Sequence, residues 1–410
     1  MIITMLTGSN KFCSSDDPHV LLQDTIHRFD SWLGNDVLPY WARNGFMPNG
    51  SAIEGFLANG QADLSANKRI RVQARQMFCC AYASKQGWLD DAMFRVSQLD
   101  SFVQRHAEIN QSGMFCHILD HEDKIINENV DLYDCAFFLL AYAWRYAVFN
   151  DLHALYKANQ LIDSIEVKLK GSSAGWLEGS YSYQCRRQNP HMHLFEAFLA
   201  LYQATQDAKW LGYAGEIFGL FENVFYDHNH GVVREFFSHN WQLSTTKGDI
   251  IEPGHMMEWV WLLQEYHKYT NKPVAQYCHA LYRNALSLGL TKADPQAHSE
   301  KHSDDNCWRS LLLDQVDLKT GGSSQTKRCW PMTEWIKASL AMARTVPTPN
   351  PYLDDARIAI ENLLHHFINP QQPSLYVDQL DANNQVINAS APASTLYHLF
   401  MAHAEARQFL

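Results

Sequence analysis

Apolar residues at helical spacing recur along the whole chain, separated by polar breaks or by breaks that contain Gly and Pro. This periodicity predicts twelve helices. Some segments are apolar on every side, such as residues 131–149, DLYDCAFFLLAYAWRYAVF, which is typical of buried helices. The predicted helices cover residues 17–33, 69–86, 90–106, 131–149, 152–170, 191–205, 208–225, 255–270, 273–288, 331–344, 354–367 and 393–408.

The connections between these helices alternate between short and long. A short connection joins two helices into an antiparallel hairpin, so the pattern predicts six hairpins. The helices after the long connections recur at intervals of roughly 60 residues, and most are the more apolar of their pair. An all-α (α/α)6 barrel with inner and outer rings of helices fits both observations, and an open solenoid of hairpins is the alternative. No linker-like stretch divides the chain, so we expect one catalytic domain over residues 1–410.

Composition narrows the classes of partner. The net charge is −11, from 44 acidic and 33 basic residues, and no long basic run occurs. Such a surface repels phosphate backbones and anionic lipids, so we expect neither nucleic acid nor membrane as a partner. The N-terminus lacks the pattern of a secretory signal, which favours a cytoplasmic protein. Nine cysteines, an odd number without a CxxC pair, suggest reduced core residues.

Residues 251–263, IEPGHMMEWVWLL, contain the most informative candidate site. Pro253 and Gly254 precede an apolar helical pattern, so His255 is expected in the first helical turn with Glu258 one turn later on the same face. A carboxylate three residues after a histidine can orient the imidazole, and the positive helix start disfavours the imidazolium. This stretch predicts a neutral, oriented base at His255. The alternative is a helix-capping histidine beside a solvated glutamate.

In such a barrel, the first turns of the inner helices line one mouth together with the long loops. Polar and aromatic residues recur at this level, which an apolar core does not require. No GxGxxG, GxxxxGK[ST] or GxSxG motif accompanies them, HExxH is absent, and no histidine spacing supports a metal site. Histidines with carboxylates, an arginine and tryptophans suit proton transfer on a polyol or sugar. The residues at this level are Arg75, Asp131, Tyr133, Asp134, Asn189, His191, His193, His255, Glu258, Trp330, Glu334, Tyr397 and His398.

Five blocks in this order resemble the N-acylglucosamine 2-epimerase superfamily: RVQARQMF with Arg75, NPHMHLFEA with Asn189 and His193, EPGHMMEWVWLL with His255 and Glu258, KRCWPMTEW with Trp330 and Glu334, and STLYHLF with His398. The resemblance spans nearly the whole chain and implies an (α/α)6 barrel. Trp259, directly after Glu258, is more similar to the aldose–ketose isomerase branch than to the epimerases.

The resemblance implies proton transfer through a cis-enediolate without a metal or another cofactor. His398 matches the general base and His255 the partner acid or base. Arg75, Asn189 and His193 match substrate-binding positions, Glu258 and Glu334 match supporting carboxylates, and Trp330 belongs to the same predicted substrate site. The implied partner is a monosaccharide, and the protein is a monomer or a homodimer.

We therefore expect an isomerase for D-mannose and D-fructose, and also for D-lyxose and D-xylulose. A sugar 2-epimerase and a sulfoquinovose isomerase are the alternatives within the superfamily. No basic pocket stands out beyond Arg75, which favours a neutral hexose over a sulfonate. Outside this class, an (α/α)6 glycoside hydrolase or lyase would use two carboxylates, and a helical-repeat binding protein would need neither histidine.

Overall fold

All twelve predicted helices are present in the computed structural model, which describes residues 17–291 and 310–410. The α-helices are α1 Pro18–Ser31, α2 Leu38–Asn44, α3 Ile70–Lys85, α4 Ala92–His106, α5 Leu132–Phe149, α6 Leu152–Lys168, α7 Asn189–Thr205, α8 Ala208–Leu220, α9 Pro253–Thr270, α10 Ala275–Gly289, α11 Cys329–Ala343, α12 Asn350–His366 and α13 Ala393–Ala406. A 3₁₀ turn, Arg407–Phe409, follows α13.

The first helix is longer than its pattern predicts. A π-helical segment, Trp32–Val37, joins α1 directly to α2, so one helical rod continues to Asn44. Pro39 lies at the start of α2, where the π-helical segment precedes it and a proline without an N–H is tolerated. A second π-helical segment, Phe221–Phe225, extends α8.

The inner ring consists of α3, α5, α7, α9, α11 and α13, and each of these helices packs against the next. The ring is closed because α13 also packs against α3. The outer helices α4, α6, α8, α10 and α12 pack against the inner helices that they follow, and α1 packs against α12 and α13. The (α/α)6 barrel is therefore confirmed, and the open solenoid is wrong.

Two-residue turns form some of the hairpins, as the sequence predicts. Asn150 and Gln206 end inner helices in the left-handed conformation, with φ of 52° and 58°. The next residue caps an outer helix: Asp151 accepts bonds from the first N–H groups of α6, and Asp207 does so for α8. An asparagine or glutamine at positive φ followed by a capping aspartate reverses the chain within two residues.

Short strands in the long loops are the main feature that the helical pattern does not predict. They are β1 Gly55–Phe56, β2 Lys68–Arg69, β3 Ile118–Leu119, β4 Ile125–Asn127, β5 Arg186–Arg187, β6 Tyr226–Asp227, β7 Val232–Val233, β8 Phe236–Phe237, β9 Ile250–Ile251, β10 Val316–Asp317, β11 Lys327–Arg328, β12 Gln379–Leu380, β13 Val386–Asn388 and β14 Ala391–Pro392. All pairs are antiparallel. With two or three residues each, they are too short to show an alternating pattern.

These strands connect each inner helix to the loop of the following hairpin. The strand just before an inner helix pairs with a strand in the next long loop in four cases: β2–β3, β5–β8, β9–β10 and β11–β12. Before α5, the single bridge Asp131–Gly179 makes the same connection. The pair β1–β14 connects the last loop to the first. All six inner helices therefore begin at the same end of the barrel, inside a closed ring of backbone pairing.

Within the described ranges, no helix is long and apolar enough to cross a membrane.

We predict that Asp151→Ala destabilises the protein more than Asp207→Ala. Both lose a helix cap, which costs about 1 kcal/mol. Asp151 also lies 2.7 Å from the buried guanidinium of Arg145. In the Asp151→Ala variant, Arg145 would lose this carboxylate and keep its ion pair with Asp100. The extra loss in the free energy of unfolding should be about 1–2 kcal/mol, measured by urea unfolding. Equal losses in the two variants would contradict this role of Arg145.

Candidate active site

The eight residues that the family resemblance implies for the site all lie in the first two turns of inner helices. Arg75 is on α3, Asn189 and His193 on α7, and His255 and Glu258 on α9. Trp330 and Glu334 are on α11, and His398 is on α13. We call this end of the barrel the mouth.

His255 is held by residues that precede α9. Its Nδ1 lies 3.0 Å from Oε2 of Glu235 and 3.3 Å from Oε2 of Glu252. The indole N–H of Trp259 donates to Oε1 of Gln188 at 2.8 Å, so the amide nitrogen of Gln188 faces Glu235 at 2.9 Å. Glu235 therefore accepts bonds from both Gln188 and His255.

The predicted partner and charge of His255 are both wrong. Glu258 is fully buried, and no hydrogen bond from residues 17–291 or 310–410 reaches either of its oxygens. Burial by itself lowers the pKa of His255, but the charges of Glu235 and Glu252 outweigh it and raise this pKa to about 10. Two carboxylates thus dominate over the helix start, and His255 is an imidazolium at neutral pH.

His398 has the opposite protonation state. Burial is the main cause that lowers its pKa, the hydrogen bond and charge of Glu334 oppose it, and the positive charges of Arg75 and Lys337 add to the lowering, so that the pKa is about 4. Its Nδ1 lies 2.9 Å from Oε1 of Glu334. Because an ionised carboxylate only accepts hydrogen bonds, Nδ1 carries the proton and Nε2 is left as a base.

Trp330 contacts both histidines. Its ring centroid is 5.1 Å from that of His255 and 5.6 Å from that of His398, with interplanar angles of 37° and 36°. Gly254 makes this position possible, since a Cβ there would lie 2.7 Å from the indole ring. Trp330 is partly exposed, and an indole face of this kind can stack on the C–H groups of a sugar.

Arg75 is the cation of the mouth that has no carboxylate partner among the ion pairs of the described chain. Its guanidinium lies over the rings of Phe137 at 3.9 Å and Tyr397 at 5.1 Å. It donates to the hydroxyl of Tyr133 at 2.8 Å, and its buried Nε has no hydrogen-bond partner in the part of the chain that the structure describes. The side chain is thus fixed by aromatic contacts while part of its donor capacity stays unused.

His193 and Glu258 lie deeper, between the inner helices. Nδ1 of His193 is 3.1 Å from Glu196 and 3.7 Å from Glu258. Burial lowers the pKa of His193 to about 4, and burial together with the charge of Glu334 raises the pKa of Glu258 well above its ordinary value. Since Glu258 and Glu334 expose no surface, any part that they play in binding acts through the side chains around them.

Asn189 lies in the wall of a cavity of about 820 Å³ beside the mouth, together with Tyr133 and Tyr181. Its buried Oδ1 has no hydrogen-bond partner among the described residues. A larger cavity of about 1120 Å³ lies at the other end of the barrel, among the last turns of the inner helices, and contains none of the eight residues.

Among the other residues predicted at this level, His191 lies away from the mouth. Its Nε2 accepts a bond from the backbone N–H of Trp176 at 3.1 Å, and burial lowers its pKa to about 3. Asp134 binds Arg71 and His117, and Asp131 caps α5. Tyr397 donates to Glu196 and faces His398.

Three groups of side chains in the described chain have donor atoms within 4.8 Å of one another: His117 with Asp131 and Asp134, His193 with Glu196 and Glu258, and Glu235 with Glu252 and His255. Ion pairs with Arg71 and His117 occupy Asp134, and His255 binds Glu235. The buried ammonium of Lys337 supplies positive charge beside Glu258. We assign no metal to these groups, and the absence of a cofactor stays a prediction.

Four residues of this site are absent from the predicted set: Gln188, Glu235, Glu252 and Lys337. Glu252 and Lys337 carry a local signal, because each is three residues from a singled-out residue. Glu235 carries none, because 20 residues separate it from His255 and only loop pairing brings them together.

We predict that Gly254→Ala lowers kcat/KM about 10- to 100-fold, because displacement of a positioned group by about 1 Å has effects of this size. The new methyl group would push Trp330 away from the two histidines. Gly212→Ala in α8, where nothing lies within 4 Å of the added Cβ, is the control. It should leave activity unchanged and stabilise the helix by about 0.5–1 kcal/mol. Equal activities of the two variants would contradict the positioning of Trp330.

Comparison with known proteins assigns this barrel to a family. Residues 52–402 match the N-acylglucosamine 2-epimerase (GlcNAc 2-epimerase) family. The chain is 30% identical over 380 residues to a mannose-6-phosphate isomerase of Rhizobium meliloti (strain 1021), covering 90% of this chain and 94% of that protein. It is 27% identical over 276 residues to a D-mannose isomerase of Pseudomonas cannabina pv. alisalensis, covering 59% of this chain and 64% of that protein.

The structure of cellobiose 2-epimerase from Bacillus thermoamylovorans B4167 superposes with a TM-score of 0.79 at 16% identity, covering 92% of this chain and 99% of that one. The chain belongs to the N-acylglucosamine 2-epimerase family, as a sugar isomerase or epimerase.

Proposed function

We propose that this protein is an aldose–ketose isomerase that interconverts D-mannose and D-fructose, and also D-lyxose and D-xylulose. The observation that carries the proposal is a pair of buried histidines at the mouth that both contact the ring of Trp330 and are each held by a glutamate through Nδ1. Their surroundings shift their pKa values in opposite directions: the pKa of His398 is lowered to about 4, which leaves Nε2 as a base, and the pKa of His255 is raised to about 10, which keeps it an acid. A base and an acid that contact one indole ring suit enolisation of a sugar.

In the proposed reaction, His398 takes up and returns one proton, and His255 gives up and regains one. Nε2 of His398 takes the proton from C2 of the open-chain aldose, and the C2–H electrons form the C1=C2 double bond. His255 protonates O1 as the C1 carbonyl opens. His255 then takes the proton from O2 as the C2 carbonyl forms, and His398 returns its proton to C1. Both histidines end each turnover as they began.

The return of both histidines to their starting protonation states favours isomerisation over an epimerisation that uses two bases. In a two-base epimerase, one histidine takes the proton from C2 and the other delivers a proton to the opposite face. Each turnover then leaves the two groups with exchanged protonation states. The carboxylates of Glu235 and Glu252 disfavour a neutral His255, and Arg75 and Lys337 disfavour a protonated His398. Isomerisation through a single carbon base passes through the exchanged state only in the enediol intermediate, and the second half of the same turnover restores both histidines.

The charges around the mouth favour a sugar without a phosphate group. Recognition of a phosphate normally uses arginines that are free to form bidentate bonds. In the wall of the 820 Å³ cavity, Arg71 lies 3.0 Å from Asp134 and Arg187 lies 2.7 Å from Glu178. The kcat/KM for D-mannose should therefore exceed that for D-mannose 6-phosphate, although a mannose-6-phosphate isomerase is among the relatives.

A glycoside hydrolase needs two carboxylates that are available to the glycosidic bond. Here Glu235 holds His255 and Glu334 holds His398, each through Nδ1. This arrangement supports histidine chemistry. Release of new reducing ends from an oligosaccharide would favour the hydrolase alternative.

We predict that the EDTA-treated protein in D₂O converts D-mannose to D-fructose that carries deuterium at C1, as measured by NMR. The reason is that a proton held on His398 exchanges with solvent before it returns to carbon. His255→Asn and His398→Asn should each lose activity by about 10²–10⁴-fold.

His403→Asn is the matched control for this experiment. His403 is also buried on α13, but it bonds to Tyr82 and Asp30 away from the mouth. The variant should lose stability and keep its activity per folded molecule. Formation of D-glucose labelled at C2, without ketose, would overturn the isomerase in favour of an epimerase. An unchanged rate in both active-site variants would overturn histidine catalysis altogether.

We predict that kcat/KM follows a broad bell-shaped pH profile. Activity should rise as His398 loses its proton, through pH about 4, and fall as His255 loses its proton, through pH about 10. Glu235→Gln removes a negative charge that stabilises the imidazolium, so the alkaline limb should move to lower pH and the rate at pH 9 should fall about tenfold. Glu361→Gln on α12, which removes a carboxylate paired with Arg28 and Arg357, should move neither limb. An alkaline limb unchanged in Glu235→Gln would contradict the role of His255 as the acid.

A further inference from the structure

A lysine lies completely buried beneath the mouth. Lys337 is one turn after Glu334 on α11, and both side chains are 0% exposed. Its Nζ lies 2.6 Å from Oε2 of Glu334 and 4.1 Å from the centre of the Trp261 ring. A buried ammonium is costly unless nearby charges stabilise it, and a well-packed apolar residue would often serve stability equally well. The position of this charge therefore calls for an explanation beyond packing.

The groups around Lys337 come from five inner helices. Glu334 is on its own helix, Glu258 faces it from α9, and Glu196 faces it from α7. His398 on α13 contacts the other oxygen of Glu334, and the charge of Arg75 on α3 acts on His398. On the outer side, Asp355 of α12 is bonded to the hydroxyl of Tyr282, away from this cluster.

The ionisation of these groups follows from their contacts. Burial opposes the charged form of Glu334, but Lys337 and His398 outweigh it and keep the pKa of this carboxyl below its ordinary value. Burial likewise opposes the ammonium of Lys337, and the three glutamates outweigh it. Burial and the charge of Glu334 raise the pKa of Glu258 well above its ordinary value, whereas the charge of Lys337 lowers it. Lys337 is thus the cation that compensates Glu334 from within the barrel.

The charge on Glu334 decides which nitrogen of His398 carries the proton. The two oxygens of Glu334 have different partners: Oε1 faces Nδ1 of His398, and Oε2 faces Lys337. An ionised Glu334 can only accept, so Nδ1 carries the hydrogen and Nε2 is free. A protonated Glu334 would donate to Nδ1 and leave the hydrogen on Nε2. In that tautomer His398 cannot take a proton from carbon.

We propose that Lys337 is a positioning residue: its buried ammonium holds Glu334 as a carboxylate and thereby keeps His398 in the Nδ1–H tautomer. The consequence for catalysis rests on the proposed function, in which His398 is the base. The consequence for the tautomer of His398 does not depend on any substrate.

The test is Lys337→Met, which keeps the length of the side chain and removes its charge. In ¹⁵N-histidine NMR, the signals of His398 are identified by their absence from His398→Asn. The wild-type protein should show the Nδ1–H tautomer at pH 7, and Lys337→Met should show Nε2–H and revert at higher pH as Glu334 ionises. The kcat should fall about 10- to 100-fold at pH 7 with little change in KM, and should recover in part at alkaline pH.

Lys157→Met is the matched control, since Lys157 is also a buried lysine paired with a glutamate, at 3.4 Å from Glu108 on the outer side of the barrel. It should lower stability without changing the tautomer of His398 or the pH profile. If Lys337→Met does not fold, Lys337→Gln, which keeps a donor without the charge, should give the same tautomer change.

Several outcomes would overturn the proposal. An Nε2–H tautomer of His398 in the wild-type protein would do so directly, whatever the variants do. A folded Lys337→Met or Lys337→Gln protein with an unchanged tautomer would reduce Lys337 to a structural role. A tautomer change in a protein that is inactive on all aldoses would leave the positioning role intact and refute the proposed function instead.

Discussion

The closed ring of backbone hydrogen bonds at the mouth is the constraint on which the site depends. At the start of five inner helices, a backbone N–H donates to a carbonyl in a neighbouring loop. The donor and acceptor pairs are Ile70 and His117, Leu132 and Glu178, Gln188 and Glu235, Cys329 and Asp378, and Ala393 and Glu54. The sixth inner helix starts with Pro253, which has no N–H to donate. Because an unpaired buried backbone group is costly, this pattern fixes the height of each helix in the barrel. It also brings an ionisable side chain from each accepting residue to the mouth, and one of them, Glu235, holds His255.

His255 and His398 differ chemically, although the barrel is nearly symmetric, because different charged groups surround them. His255 and His398 are both almost fully buried, and each donates Nδ1–H to a glutamate. Their pKa values nevertheless move in opposite directions, because a second carboxylate accompanies His255, while two cations accompany His398. The same residue type thus provides an acid and a base at one site. Burial strengthens each of these charge effects, since little water is present to screen them.

The buried charges beneath the mouth are consistent with selection for reactivity over stability. Glu196, Glu258, Glu334 and Lys337 are essentially inaccessible to solvent, and both oxygens of Glu258 lack a hydrogen-bond partner within the described ranges. A core built only to fold would use apolar residues there. Arg75 follows the same principle, since three aromatic rings surround its guanidinium where a carboxylate would neutralise it.

Periodicity, caps and loop lengths are local properties of the chain, and they suffice to predict the helices, their pairing and the closed barrel. Position along an inner helix fixes depth in the barrel, so the level of the candidate residues is predictable as well. Which of these groups touch depends on how distant segments come together in the fold. The sequence paired His255 with Glu258 because they are one turn apart, but Glu258 points into the core, and Glu235, from a loop 20 residues earlier, takes its place. The charge of His255 was therefore mispredicted as well, because the pKa of a buried histidine depends on all charges within a few ångströms, and most of those come from elsewhere in the chain.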